Sequence, residues 1–191
     1  MNIEVNKERF KGLAKSFITR EGVDGLLVML EKSDFYTAPA STKYHNSYEG
    51  GLLEHSLAVF DELTLEVKQD NIDVDIESVA IVSLFHDLCK VGFYEVSSRN
   101  TKDEKGKWIS VPYYTVNDKF PIGHSEKSII LLREFIDLSP DEMLAINAHM
   151  GGFDERTNVV SNCFSQSRLA VLLHIADLKA TYEVSYDGEE K

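Results

Sequence analysis

The sequence predicts an all-α fold, a bundle of helices with one small β-hairpin inserted between them. Apolar residues recur at the helical i, i+3 and i+4 spacing from Leu52 to Leu63, and the segment 75–90 encloses an almost continuous apolar run. The segment 93–116 differs, because it is rich in aromatic and β-branched residues on either side of a polar stretch that contains Gly106. These three observations predict the bundle and its hairpin.

Two helices are predicted before the bundle core, at about 7–17 and 22–32. The stretch 33–49 follows and is polar and aromatic, with too few periodic apolar residues for a helix. We expect it to be a loop, which ends at Gly50-Gly51.

The core is predicted from two successive helices, at about 52–68 and 75–90. Asp75 is an N-cap candidate for the second helix, and Gly92 suits a C-terminal cap. The apolar run 79–85 would also fit a buried strand by pattern alone, but the length of the whole segment favours a helix. A helix that is apolar on all sides belongs at the centre of a bundle.

The hairpin is expected at about 93–116, and Pro112 indicates that its strand lies at a sheet edge. Helices then resume at about 125–135, 139–150 and 165–184. The second of these opens on Ser-Pro-Asp-Glu, the pattern of a capping box with proline at the first helical position.

Length and charge limit the class of protein to which this chain can belong. A chain of 191 residues fits one domain, which we divide into an N-terminal part, residues 1–49, and a helical core, residues 50–186. The net charge of −12 disfavours binding to duplex nucleic acid, since an acidic surface repels phosphate, although cations inside a cleft would allow a small anionic substrate. The sequence lacks a membrane-spanning apolar stretch, and its two cysteines suit reduced thiols, so we expect a cytoplasmic protein without a membrane partner.

Histidine and aspartate fall at core-facing positions of the predicted helices. His55 shares a helical row with core leucine and valine, His86 and Asp87 end the most apolar helix, and Asp177 lies among alanine and leucine in the last helix. A buried carboxylate is costly unless it is paired or bound to a cation. A shared divalent metal ion is the simplest partner, and the absence of thiolate ligands disfavours a structural zinc site.

A salt bridge is the alternative for the two carboxylates. Lys90, Arg168 and Lys179 are the cations that could pair with Asp87 or Asp177.

Five blocks of the sequence resemble the successive signature blocks of HD-domain metal-dependent phosphohydrolases. They are Gly50-Gly-Leu-Leu-Glu-His55-Ser, Phe85-His86-Asp87-Leu-Cys-Lys90, Gly123-His124, Ala148-His149 and Ala176-Asp177. The order and the helical settings of the blocks match that family. The first block is most similar to the HD domains of bacterial 3′–5′ exoribonucleases and of related phage-type hydrolases.

The resemblance implies a centre of two divalent ions, drawn from Mn, Fe, Co, Ni, Zn or Mg, in an HD-domain helical bundle. The implied metal ligands are His55, His86, Asp87, His124, His149 and Asp177. Asp87 would bridge both ions, and Lys90 matches the lysine that faces the reacting phosphate. Asp87 and Lys90 are therefore the implied catalytic residues, with Lys90 stabilising developing negative charge.

Three further residues are candidates for contacts with the substrate. His45 precedes the first block and could reach the mouth of the site. His174 lies one turn before Asp177 and could contact substrate, although a packed histidine fits equally well. Arg99 belongs to the hairpin, which also carries Trp108 and could form a lid that supplies positive charge and a stacking surface; a solvated turn is the alternative.

The predicted function is hydrolysis of a phosphoester in a nucleotide or short oligonucleotide by a metal-activated hydroxide. Monoester and diester hydrolysis both stay open, as does the oligomeric state. One alternative is a non-catalytic, metal-dependent nucleotide-binding or regulatory module. Another is a di-iron oxygenase, but the lysine that follows the His-Asp pair favours hydrolysis.

Overall fold

Helices dominate the computed structural model, which describes residues 2–43, 45–69, 71–154 and 156–182. In chain order the helices are α1 (Ile3–Phe17), α2 (Val23–Lys32), α3 (Gly51–Gln69), α4 (Ile76–Phe85), α5 (His124–Arg133), α6 (Pro140–Ala148), α7 (Thr157–Gln166) and α8 (Arg168–Tyr182). Two antiparallel strands, β1 (Tyr94–Lys102) and β2 (Trp108–Val116), separate α4 from α5. A mostly helical fold with one inserted hairpin is thereby confirmed.

The centre of the bundle is α4. Every side chain from Val79 to Phe85 is buried, and the helix packs against α1, α3, α6 and α8. Its first turn is capped by Asp75, whose carboxylate accepts a hydrogen bond from the Glu77 N–H at 3.1 Å. A helix that is apolar on every side is therefore enclosed on every side, as the sequence predicts.

Most predicted helix boundaries agree with the structure within two residues. The first helix is longer than expected, because the Asn2 side chain accepts a hydrogen bond from the Val5 N–H and α1 begins at Ile3. The capping box of α6 is confirmed, with Ser139 and Glu142 bonded reciprocally.

Two further predicted boundaries are wrong. The expected helix 75–90 ends as α-helix at Phe85, and a short 3-10 turn, Leu88–Lys90, completes it. The last helix starts at Arg168 instead of about 165, and the sequence analysis missed α7 before it. The N-cap residue Arg156 makes no side-chain cap bond, and α7 packs on α6 and α8, which stabilise it. The predicted ends at 184 and 186 lie outside the described residues.

The hairpin is attached to the bundle at its base. The strands pair from Tyr94 opposite Val116 to Lys102 opposite Trp108, and Pro112 is tolerated because both strands of a two-stranded sheet are edges. The Tyr94 hydroxyl donates to the Ala40 carbonyl at 3.1 Å, which ties the hairpin to the loop after α2.

Aromatic packing holds that loop on the core. The rings of Phe35 and Tyr36 contact Phe10 of α1 at centroid distances of 5.3 and 5.9 Å, and Phe10 in turn contacts Phe85 of α4 at 5.5 Å. Within the described residues, each helix is too short or too polar to cross a lipid bilayer.

Candidate metal centre

The six predicted metal ligands converge from five helices onto one cavity of about 540 Å³. His55 comes from α3, Asp177 from α8, and His124 is the first residue of α5. His86 and His149 directly follow α4 and α6, where each occupies the C-cap position. Five of the six line the cavity, namely His55, Asp87, His124, His149 and Asp177, and His86 is fully buried. The structure thus brings the whole predicted set together.

One carboxylate oxygen of Asp87 faces two of these histidines. Its Oδ1 lies 2.7 Å from His124 Nε2 and 3.6 Å from His149 Nε2. The second distance exceeds a hydrogen bond, so His124 is bonded to this carboxylate oxygen and His149 is not.

The other oxygen faces a second group. Asp87 Oδ2 lies 3.5 Å from His86 Nε2 and 3.8 Å from His55 Nε2. Asp177 Oδ1 completes this group, 3.0 Å from His55 Nε2 and 4.0 Å from His86 Nε2. Ligand atoms that bind one ion at ~2.1 Å lie roughly 3.0–3.4 Å apart, so small side-chain shifts would bring this group around a single cation.

Backbone carbonyls fix the orientation of two of the imidazoles. His86 Nδ1 lies 3.0 Å from the Ser83 carbonyl oxygen, and His149 Nδ1 lies 2.7 Å from that of Ile146. A carbonyl only accepts, so each Nδ1 carries a proton, and in the neutral imidazole each Nε2 directs a lone pair towards Asp87. Both Nε2 atoms are buried, and neither has a hydrogen-bond partner among the described residues.

Unpartnered buried nitrogens are costly, and metal-binding histidines commonly donate their other N–H to a carbonyl. Two subsets have potential ligand atoms within 4.8 Å of one another: His55, His86 and Asp87, and Asp87, Cys89 and His124. These buried groups could hold a metal ion, and the donor set fits one.

A lysine pairs with the central carboxylate. Lys90 Nζ lies 2.6 Å from Asp87 Oδ2, so part of the salt-bridge alternative is present. Lys179, by contrast, binds Glu66 at 2.8 Å, and Asp177 faces the imidazole of His55. One ammonium group cannot neutralise two carboxylates, so the salt bridge leaves the charge of the cluster incompletely balanced.

The charges in the cluster favour the metal-binding ionisation state. Burial by itself would raise the pKa of Asp87, but the charge of the adjacent Lys90 ammonium outweighs burial and holds that pKa well below its usual value. Burial likewise opposes the ionisation of Asp177, and the neighbouring His55 lowers the pKa of that carboxyl. Both carboxylates are therefore ionised at neutral pH.

Two of the three predicted substrate contacts line the same cavity. The His45 ring lies 5.0 Å from that of His55, and burial lowers the pKa of His45 to about 4, so its imidazole is neutral at pH 7. His174 pairs through Nδ1 with the His149 carbonyl at 2.7 Å. Its ring also lies against Gly151, where φ is +53° and a Cβ would overlap the imidazole.

Arg99 lies outside this cavity. It lines a neighbouring one, between the hairpin and the loop after α2. Trp108 lies at the far end of the hairpin with 66% of its surface exposed. A lid over the metal centre is therefore not formed by these two side chains.

Cys89 is a neighbour of the cluster that the sequence analysis did not assign to it. Its Sγ lies 3.2 Å from His124 Nδ1, and its backbone N–H donates to Ser128 Oγ at 3.0 Å. Burial, assisted by the nearby Asp87, raises the pKa of the thiol to about 12. The protonated thiol is a weak ligand, so its contact positions His124. The sequence signal for this contact was the position of Cys89, two residues after Asp87.

The cavity also has an aromatic wall that the sequence analysis did not identify. Phe93, Tyr94, Phe153 and Tyr182 line it, and the last two are more than half exposed. Flat aromatic side chains beside a polar cluster suit a ligand that has both a planar and a polar group.

Comparison with protein-family models, with curated proteins and with solved structures finds no match for this chain. The site geometry is therefore the basis for assigning a function.

Proposed function

We propose that the protein is a metal-dependent phosphohydrolase of the HD type, acting on a phosphoester of a nucleotide or short oligonucleotide. The observation that carries the proposal is the two-sided environment of Asp87. Each carboxylate oxygen faces its own group of imidazoles, and a buried Nε2 without a hydrogen-bond partner stands in each group. The resemblance of the five sequence blocks supports the same assignment.

Two divalent ions fit this arrangement. His55, His86 and Asp177 would hold one with Asp87 Oδ2, and His124 and His149 would hold the other with Asp87 Oδ1. Imidazole and carboxylate donors suit Mn, Fe, Co, Ni, Zn or Mg to different degrees, so the donor set restricts the metal without naming it. When bound, such ions lower the pKa of water towards neutrality and offset the charge on phosphoryl oxygens.

Lys90 would bind the phosphate. Its ammonium lines the cavity beside Asp87, whose charge outweighs the effect of burial and raises the pKa of Lys90. Lys90 is therefore protonated throughout the physiological range. It can donate to a phosphate oxygen, where it offsets the charge that develops during cleavage.

The remaining residues would orient the substrate. The neutral His45 can donate or accept one hydrogen bond at the cavity wall, and His174 holds the backbone of His149. Phe153 and Tyr182 offer a surface on which a base can stack.

The test is metal-dependent turnover. Purified protein would be stripped of metal, reloaded with each candidate ion in turn, and assayed on chromogenic mono- and diesters, nucleotides, cyclic nucleotides and short oligonucleotides. We expect hydrolysis that Asp87→Asn lowers by about a thousandfold or more, together with loss of bound metal. Asp61→Asn, an exposed aspartate paired with Arg9, is the control and should retain both.

Other outcomes would redirect the assignment. Metal-loaded protein that binds nucleotides without turnover would favour a regulatory module. Oxygen-dependent turnover by iron-loaded protein would favour an oxygenase.

A further inference from the structure

A second cavity, of about 530 Å³, lies beside the metal-centre cavity. Its walls are the loop after α2, with Thr42 and Lys43, and the hairpin, with Arg99, Tyr113 and Tyr114. It is nearly as large as the cavity at the metal centre.

The two cavities adjoin along the hairpin. Thr42 lines both of them. The paired residues Tyr94 and Val116 border the metal-centre cavity, and the pair Val96 and Tyr114 borders the second one. The second pair is two residues further along the strands than the first, a distance of about 6.6 Å. A ligand that extends from the metal centre along the hairpin thus enters the second cavity.

The second cavity has the opposite charge balance to the rest of the protein. Lys43 and Arg99 line it, and among the described residues that form its walls there is no carboxylate. The chain as a whole carries a net charge of −12, and the metal-centre cavity contains Asp87 and Asp177. A local excess of cations in an acidic protein favours an anionic ligand at this position.

The side chains of this cavity match a phosphate next to a planar group. The Arg99 guanidinium lies over the Tyr113 ring, 5.4 Å from its centroid, which holds the guanidinium in place and leaves its N–H edge for an anion. Thr42 and Tyr114 add hydroxyl groups, and the tyrosine rings offer faces for stacking.

We propose that this cavity binds the phosphate and nucleoside next to the scissile bond, so that the preferred substrates are dinucleotides or longer oligonucleotides. This inference rests on the proposed phosphohydrolase function, which by itself leaves mononucleotides and oligonucleotides equivalent. Arg99 contacts the neighbouring phosphate, and the metal centre contacts the scissile one.

The test compares substrates of different length on metal-loaded protein. The kcat/KM for a 5′-phosphorylated dinucleotide is measured relative to that for a chromogenic diester and for the mononucleotide. Wild-type protein should prefer the dinucleotide to the mononucleotide. Arg99→Ala should lower the kcat/KM for the dinucleotide, relative to that for the chromogenic diester, about tenfold or more, mainly through a higher KM. Arg99→Lys should restore part of this ratio.

Lys105→Ala is the matched control, because Lys105 is an exposed cation of the hairpin turn that does not line the cavity. It should leave the ratio unchanged. An Arg99→Ala ratio equal to wild type, or a wild-type preference for mononucleotides, would overturn the inference while leaving phosphohydrolase activity in place.

Failure of the proposed function gives a different result, the absence of turnover on every substrate with every metal. Calorimetric titration of metal-loaded protein with the dinucleotide and the mononucleotide then tests ligand binding by the second cavity independently of turnover. Tighter dinucleotide binding that Arg99→Ala weakens about tenfold supports the subsite, and equal binding of both ligands rejects it.

Discussion

Two buried carboxylates in this molecule have opposite surroundings. Glu142, at the start of α6, is fully buried, and each of its oxygens accepts two hydrogen bonds. Arg20 donates to both oxygens, at 2.6 and 2.7 Å, Ser78 donates to Oε1, and the Ser139 N–H donates to Oε2. Asp87 is nearly as buried, yet within the described part of the chain the Nε2 atoms of His86 and His149 that face it have no hydrogen-bond partner.

The difference separates a structural polar network from a ligand site. Around Glu142 the protein itself satisfies the charge, and the network joins α6 to α4 and to the segment after α1. Asp87 itself accepts hydrogen bonds from Lys90 and His124, but the facing Nε2 atoms of His86 and His149 have no partner among the described residues, at an energetic cost. A cation from outside the chain would complete the second cluster, whereas the first one is already complete.

The largest effect that tests this comparison is on stability. Glu142→Gln should lower the free energy of unfolding by about 3 kcal/mol, because it leaves Arg20 without its buried partner. Metal stoichiometry should stay at the wild-type value. Chemical denaturation and elemental analysis of the same preparation provide the two measurements.

Asp87→Asn supplies the reciprocal measurement. Saturating metal, at about a hundred times its dissociation constant, should stabilise wild-type protein by about 2.7 kcal/mol for each ion bound, and Asp87→Asn should lose this gain. If Glu142→Gln lost the metal-dependent gain as well, the two clusters would not be functionally distinct.

Local sequence rules account for much of the fold. The apolar run of α4, the Asp75 cap, the capping box at Ser139 and the hairpin pattern are all short-range signals, and the structure agrees with each of them. Four of the six candidate ligands, His55, His86, Asp87 and Asp177, could be singled out from their positions in apolar helical segments, where a polar side chain needs a partner. His124 and His149 were implied only by the resemblance of the sequence blocks.

Contacts between distant segments were not predictable in the same way. The sequence marked Glu142 as a capping residue, but its bond to Arg20 joins residues 122 positions apart. Cys89 and His124 are 35 positions apart, and no local pattern connects them. The position of Arg99 beside a second cavity follows from the attachment of the hairpin through Tyr94, which is a tertiary contact. Which distant residues contact one another can be read only from the packed structure.

A smaller effect is expected from acid. Burial would raise the pKa of Glu142, but the hydrogen bonds from Arg20 and Ser78 lower it below the usual value. A carboxyl whose pKa is lower in the folded state stabilises the fold above its unfolded pKa, near 4.3, and loses that contribution as the pH falls through the folded value.

The stability difference between wild type and Glu142→Gln should therefore be full at pH 7 and narrow progressively below about pH 4.3. Urea denaturation of metal-free wild type and variant over this range measures it. A difference that stays constant down to pH 3 would contradict the role assigned to the ionised Glu142.

The smallest predicted effect concerns Cys89, and it tests whether this residue binds metal or only positions His124. Its thiol contacts His124 Nδ1, and burial keeps it protonated, so Cys89→Ala should retain both metal equivalents and lower turnover only a few-fold. Cys89→Ser, whose hydroxyl can still bond to the ring, should recover part of the rate. Loss of a full metal equivalent in Cys89→Ala would instead show that the sulfur is a metal ligand. The cluster around Asp87 would then require a softer metal than imidazole and carboxylate ligands alone imply.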